Sequence, residues 1–67
     1  MVSITLNGEA RQFAGVATIA DLVGALELTG RRLAVERNGE IVPKSRHALE
    51  ALRDGDALEI VVAVGGG

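Results

Sequence analysis

Two Asn-Gly dipeptides, Asn7-Gly8 and Asn38-Gly39, constrain this chain more than any other feature. Asn followed by Gly tolerates the positive φ angles of a type I′ turn, the turn whose twist matches the strands it joins. Before the first, Val2, Ile4 and Leu6 alternate with Ser3 and Thr5, the period of a half-buried strand. Glu9 to Phe13 is then the returning strand, with Phe13 offered to the core. Around the second, Leu33 and Val35 share one face, and Glu40-Ile41-Val42 returns as far as Pro43. Proline lacks an N–H and belongs at a sheet edge or exit. The chain therefore holds two hairpins, and the rest must pack against them.

Gly15 to Ala17 connects the first hairpin to TIADLVGALELTG, which reads as a helix with both ends marked. Thr18 is an N-cap, and Asp21 three residues on completes a variant of the capping box. Ile19, Leu22, Val23 and Leu26 form one apolar stripe, and Gly30 stands where a C′ glycine is expected. Gly24 inside the helix costs about 1 kcal/mol against alanine. Close approach of helix and sheet is the expected reason for it, and a partner groove is the alternative. Ser45 to Leu52 is expected to make one or two helical turns with Ala48, Leu49 and Leu52 inward. Asp54-Gly55-Asp56 turns the chain into a final strand, Ala57 to Val64. There Leu58, Ile60, Val62 and Val64 share one face, while Glu59, Val61 and Ala63 share the other.

This order of hairpin, crossing helix, second hairpin and last long strand is that of the β-grasp, or ubiquitin-like, fold. The fold class is thus α+β, a mixed sheet of about five strands with one helix across it. Residues 1–64 form the domain and residues 65–67 a flexible glycine tail. A chain of 67 residues buries only about 60% of its unfolded surface and sits near the lower limit for folding unaided. With no cysteine, neither disulfides nor a thiolate zinc site help it; the core must be aliphatic, since Phe13 is the one aromatic residue. Such a core is expected to offer no enclosed pocket of the roughly 300 Å³ that small-molecule sites usually need.

The net charge of −2, with the basic residues scattered and no stacking aromatics, argues against nucleic acid as a partner. The opening MVSITLNGEA has no basic region followed by a sustained apolar run, so it does not read as a signal peptide. The longest aliphatic run, Ile60 to Val64, falls far short of the about 20 residues of a membrane span. A cytoplasmic protein without membrane contact is expected.

No catalytic constellation or metal site is legible. His47 is the single histidine and is expected to be solvated within KSRH. Asp54-Gly55-Asp56 lacks the spread ligands and closing glutamate of a calcium loop, so a tight turn with Asp capping backbone N–H groups is expected. The glycines never form a phosphate-binding fingerprint, and Ser3 and Ser45 have no activating partners. The ending remains: VVAVGGG carries an aliphatic strand straight into Gly65-Gly66-Gly67. A terminal carboxylate on Gly67 is itself a reactive group, one that attacks the α-phosphate of ATP to give an acyl adenylate. Gly65 and Gly66, having no Cβ, would thread a channel too narrow for other residues. The alternative is a frayed end without a role.

Together with the short alternating start, LAVERNGEIVP (Leu33 to Pro43) and LRDGDALEIVVAVGGG (Leu52 to Gly67) resemble the ThiS-type sulfur carrier proteins of thiamine biosynthesis. Carriers serving molybdopterin synthesis tend to have an aromatic and proline-containing stretch before the glycines. EIVVAVGGG has neither. The resemblance implies a carrier that is no enzyme and binds no cofactor itself. An E1-like adenylating enzyme would activate Gly67 with Mg-ATP, a cysteine persulfide would supply sulfur to make a thiocarboxylate, and thiazole synthase would accept it. Beside the tail, Val61 and Ala63 should lie on the sheet face away from the helix. They form either a partner-docking patch, with Glu36 and Arg37 as a polar rim, or part of a twisted strand that hides them. A β-grasp interaction module, a covalent protein modifier, or a sulfur carrier for molybdopterin or tRNA thiolation are the alternative functions.

Overall fold

In a computed structural model that describes residues 1–63, five strands form one mixed sheet and a single α-helix lies on one side of it. The strands are β1 (Val2–Leu6), β2 (Glu9–Phe13), β3 (Leu33–Arg37), β4 (Glu40–Val42) and β5 (Ala57–Val62), and the helix is α1 (Ile19–Ala25). Their order across the sheet is β2-β1-β5-β3-β4. Two antiparallel hairpins are thus joined through β5, which runs parallel to β1 and antiparallel to β3. This is the β-grasp arrangement. Expectations about Val64 and Gly65–Gly67 lie outside the described residues.

Both Asn-Gly dipeptides make the turns expected of them, with φ of 50° and 84° at Asn7-Gly8 and 52° and 86° at Asn38-Gly39. One face of β1, β3 and β5 supplies Val2, Ile4, Leu6, Val35, Leu58 and Ile60 to the core; α1 adds Ile19, Leu22 and Val23. Leu26 and Phe13 are half-buried against it, and the Arg11 guanidinium covers the Phe13 ring at 5.2 Å.

Helix α1 starts at its expected cap. The Thr18 hydroxyl accepts from the Asp21 N–H at 3.1 Å, and the Asp21 carboxylate accepts from the N–H groups of Thr18 and Ala17 at 3.1 and 3.0 Å. Those backbone donors hold the Asp21 carboxyl below the usual aspartate range. The helix ends well before Gly30. Glu27 takes the left-handed position at φ 59°, its N–H donating to the Gly24 carbonyl and that of Leu28 to Val23, both at 3.0 Å. This is a Schellman closure with glutamate where glycine is usual. It returns Leu28 to the core as a half-buried side chain.

The segment after Pro43 also departs from expectation. Lys44–Arg46 is a 3₁₀ turn; Ala48 and Leu49 face outward, with Leu49 71% exposed, and only Leu52 is buried as expected. The reason lies in the backbone. The N–H groups of Ile19 and Ala20, unpartnered within α1, donate to the Glu50 and His47 carbonyls at 3.1 and 2.9 Å. Turning those carbonyls to the helix terminus forbids a regular inward-facing helix here. His47 is accordingly not solvated: it is 8% exposed, and its Nε2 lies 3.1 Å from the Val42 carbonyl. A carbonyl only accepts, so this nitrogen carries the hydrogen.

Candidate functional site

The sequence points to the end of β5, from which the chain continues into its glycines, as the candidate site. What fixes that strand is therefore what fixes the site. β5 begins after the Asp54-Gly55 turn, in which Gly55 has φ 89° and the Asp56 carboxylate accepts from the Arg53 N–H at 3.0 Å. Asp54 accepts from the Ser3 N–H at 2.8 Å, tying the turn to β1. Asp56 performs the local capping expected of the turn, whereas Asp54 caps a backbone N–H of β1 instead.

Two further side chains hold β5, and sequence reasoning had given them only a turn to make. The Asn7 amide oxygen accepts from the Ile60 N–H at 2.8 Å, and its NH₂ donates to the Ile60 carbonyl at 3.2 Å. The side chain thus pairs with β5 as another strand residue would, beyond the point where β1 itself turns away. From the opposite side, Asn38 accepts from the Ala57 N–H at 2.9 Å and donates to the Asp56 carboxylate at 3.3 Å. The signal was present in the sequence as a choice of residue. Asp and Gly also suit these turns, but only an amide both donates and accepts.

At its far end, Leu33 pairs with Val62, and the Ala63 N–H donates to the Arg32 carbonyl at 2.8 Å. The described strand stops at Val62. Val61 is 66% exposed and Ala63 is exposed, both on the face away from α1, so strand twist does not hide them. The register sets Ala34 beside Val61 and Ile41, 74% exposed, beside Glu36. Val61 and Ala34 thereby make an apolar pair on this face, and the next row across it is Glu59, Glu36 and Ile41, with Glu36 in the middle. Arg37 does not belong to the rim of this face. It shares the α1 side with Val35, where its guanidinium donates to the Ala51 carbonyl at 2.9 Å and pairs with Glu50. Arg46 pairs with the same carboxylate at 2.8 Å. Hydrogen bonds from Arg46 first and Arg37 second hold Glu50 below the usual glutamate range.

An open-sided cleft of about 390 Å³ lies on the α1 side. It is not an enclosed cavity. No group of His, Asp and Glu side chains among the described residues is placed to hold a metal ion. No described helix is long and apolar enough to cross a membrane.

The ThiS family model matches residues 4–67, through the last glycine. A thiazole synthase of Paramagnetospirillum magneticum is 50% identical over 66 residues, 98% of this chain but only 20% of that protein. The sulfur carrier protein ThiS of Bacillus subtilis is 40% identical over 65 residues, covering 96% of this chain and 98% of its own. The crystal structure of the thiamine biosynthesis protein ThiS from Geobacter metallireducens superposes with a TM-score of 0.81 at 29% identity, over 98% of this chain and 100% of that one. On the family match over residues 4–67, the full-length similarity to the Bacillus carrier and the superposition, the chain belongs to the ThiS family, small sulfur carriers of thiamine biosynthesis rather than catalysts.

Proposed function

We propose that this chain carries sulfur as a thiocarboxylate on Gly67 and delivers it for thiazole formation. The Gly67 carboxylate attacks the α-phosphate of ATP within an E1-like partner, releasing pyrophosphate and leaving an acyl adenylate. The terminal sulfur of a cysteine persulfide then displaces AMP at the acyl carbon to give an acyl disulfide. A second thiol of the partner attacks the persulfide's cysteine sulfur, breaking the S–S bond to release the thiocarboxylate and leave a cysteine disulfide. Gly65 and Gly66 serve by what they lack: without Cβ atoms, they enter a channel that side chains would block. Mg-ATP belongs to the activating partner, and this chain needs no bound cofactor.

The observation that carries this reading is the family match running through Gly67, on a chain whose described residues hold no nucleophile–base pair of their own. Thiazole synthase as the sulfur acceptor is supported by the synthase of which one fifth is similar to this chain. The Val61 and Ala63 face supplies the docking patch, since exposed aliphatics grouped beside a reactive terminus mark an interaction surface. A soluble, cytoplasmic setting, where both enzymes would operate, completes the proposal.

Intact-protein mass spectrometry of the untagged chain, incubated with ATP, magnesium, a sulfur source and cell extract, tests it. The expected result is a mass gain corresponding to one oxygen replaced by sulfur. It should vanish when Gly67 is deleted and when Gly66→Leu blocks threading, with the melting temperature unchanged in both. An unchanged mass in extract that thiolates a known carrier would overturn the proposal and leave an interaction module.

A further inference from the structure

The cleft on the α1 side has a composition unlike the rest of the molecule. Val23 and Leu28, the pair brought together by the Schellman closure, line it together with Ala48. Arg31, Arg32 and Lys44 also line it, and no acidic residue does. Outside the cleft, four basic residues face nine acids, in a chain of net charge −2. The other arginines near the core are engaged: Arg37 and Arg46 pair with Glu50, and Arg11 covers Phe13. The cleft cations form no ion pair among the described residues, and all three are exposed. An apolar floor with a rim of one sign, on a protein of the opposite sign, is the pattern of electrostatic complementarity to a partner.

From this we infer that the cleft is a docking site for an acidic segment of a protein partner, one that seats one or two aliphatic side chains between flanking carboxylates. A small anion fits the site poorly. It would want buried, converging donors, whereas the rim cations are exposed and the buried His47 on the wall donates its Nε2–H to Val42. Position favours a partner of this end of the sheet. The loop that carries Arg32 also receives the Ala63 N–H, so a segment in the cleft lies next to the last residues of β5. It would occupy the side opposite the Val61 patch, so that two contacts would flank the strand. The cleft stands on its own residues, and the inference survives if the sulfur-carrier proposal fails.

Amide chemical-shift mapping of the ¹⁵N-labelled full chain tests it. The probe is a short peptide with two leucines flanked on both sides by aspartate and glutamate. Saturable shifts are expected at Val23, Leu28 and Ala48, with a dissociation constant on the order of 1 mM or tighter. Added salt should weaken them. The R31E/R32E/K44E variant should bind at least about tenfold more weakly while melting as the parent does. Ala48→Glu, which leaves the rim intact, should also weaken binding. Equal shifts in either variant, or with serine in place of both leucines, would overturn the inference. So would shifts centred on Ala34 and Val61, or the same pattern produced by inorganic phosphate.

Discussion

At the residue scale, Asn7 and Asn38 each hold two kinds of structure at once. Each occupies a left-handed turn position, and each then spends its amide on β5. The turn was legible because Asn-Gly is a local signal. The pairing was not, because its partners lie 53 residues away for Asn7 and 19 for the Asn38–Ala57 contact. Asn7→Asp keeps the backbone conformation but sets a carboxylate against the Ile60 carbonyl. A loss of about 1–2 kcal/mol is expected, read as a fall in melting temperature of roughly 4–16 °C. Asn7→Gly should cost less than Asn7→Asp, because it removes the pairing without adding repulsion. His47 illustrates the same limit: its polar neighbours in sequence suggested solvent, whereas folding places it against Val42.

At the element scale, α1 stops at Ala25, short of the Gly30 end its pattern suggested, and the closure that ends it turns Leu28 toward the core. Two substitutions follow from its geometry. A Cβ on Gly24 would meet nothing nearer than the Thr29 hydroxyl at 3.8 Å, so close helix–sheet approach is not why glycine stands there. Gly24→Ala should therefore stabilise the protein by about 1 kcal/mol in urea unfolding. Glu27→Gly should likewise stabilise it, by up to about 1 kcal/mol, by relieving a left-handed glutamate. The segment from Pro43 to Leu52 is held by a charge that titrates. A carboxylate whose native pKa is depressed contributes stability fully present above its unfolded value, about 4.3 for glutamate, and lost as pH falls through the native one. Glu50 is depressed by Arg46 and Arg37, so the stability gap between the parent and Glu50→Gln should shrink as pH is lowered from neutral through that window. A gap independent of pH would assign the cost of the substitution to packing.

At the scale of the whole molecule, the architecture was the most legible feature. Two hairpin signals, one capped amphipathic stripe and one last strand leave few ways to build a single sheet, and β2-β1-β5-β3-β4 is the one adopted. The open face was legible too, because alternation along β5 assigns Val61 and Ala63 to one side. Its extension to Ala34 was not, since that depends on register between strands rather than within one. Val61→Glu places a charge where the face is already exposed, so thermal stability should be unchanged within about 0.5 kcal/mol. On the proposed function, the same variant should raise the concentration of carrier needed for half-maximal thiolation severalfold without lowering the plateau. Equal plateau and equal half-maximum would remove this face from the docking surface.

The parallel pairing of β1 with β5 also governs how the molecule assembles. Each hairpin closes over a short stretch of chain, but neither has a complete sheet to join until β5 enters between them. That step closes a long loop, Thr5 to Ala57, and loop closure of this kind is slow relative to hairpin formation. A chain cut before Ala57 would keep two ribbons and no domain. Any folded copy therefore already possesses the strand that leads to the glycines, so proteolysis that removes β5 yields an unfolded fragment rather than an inert competitor for the same partners.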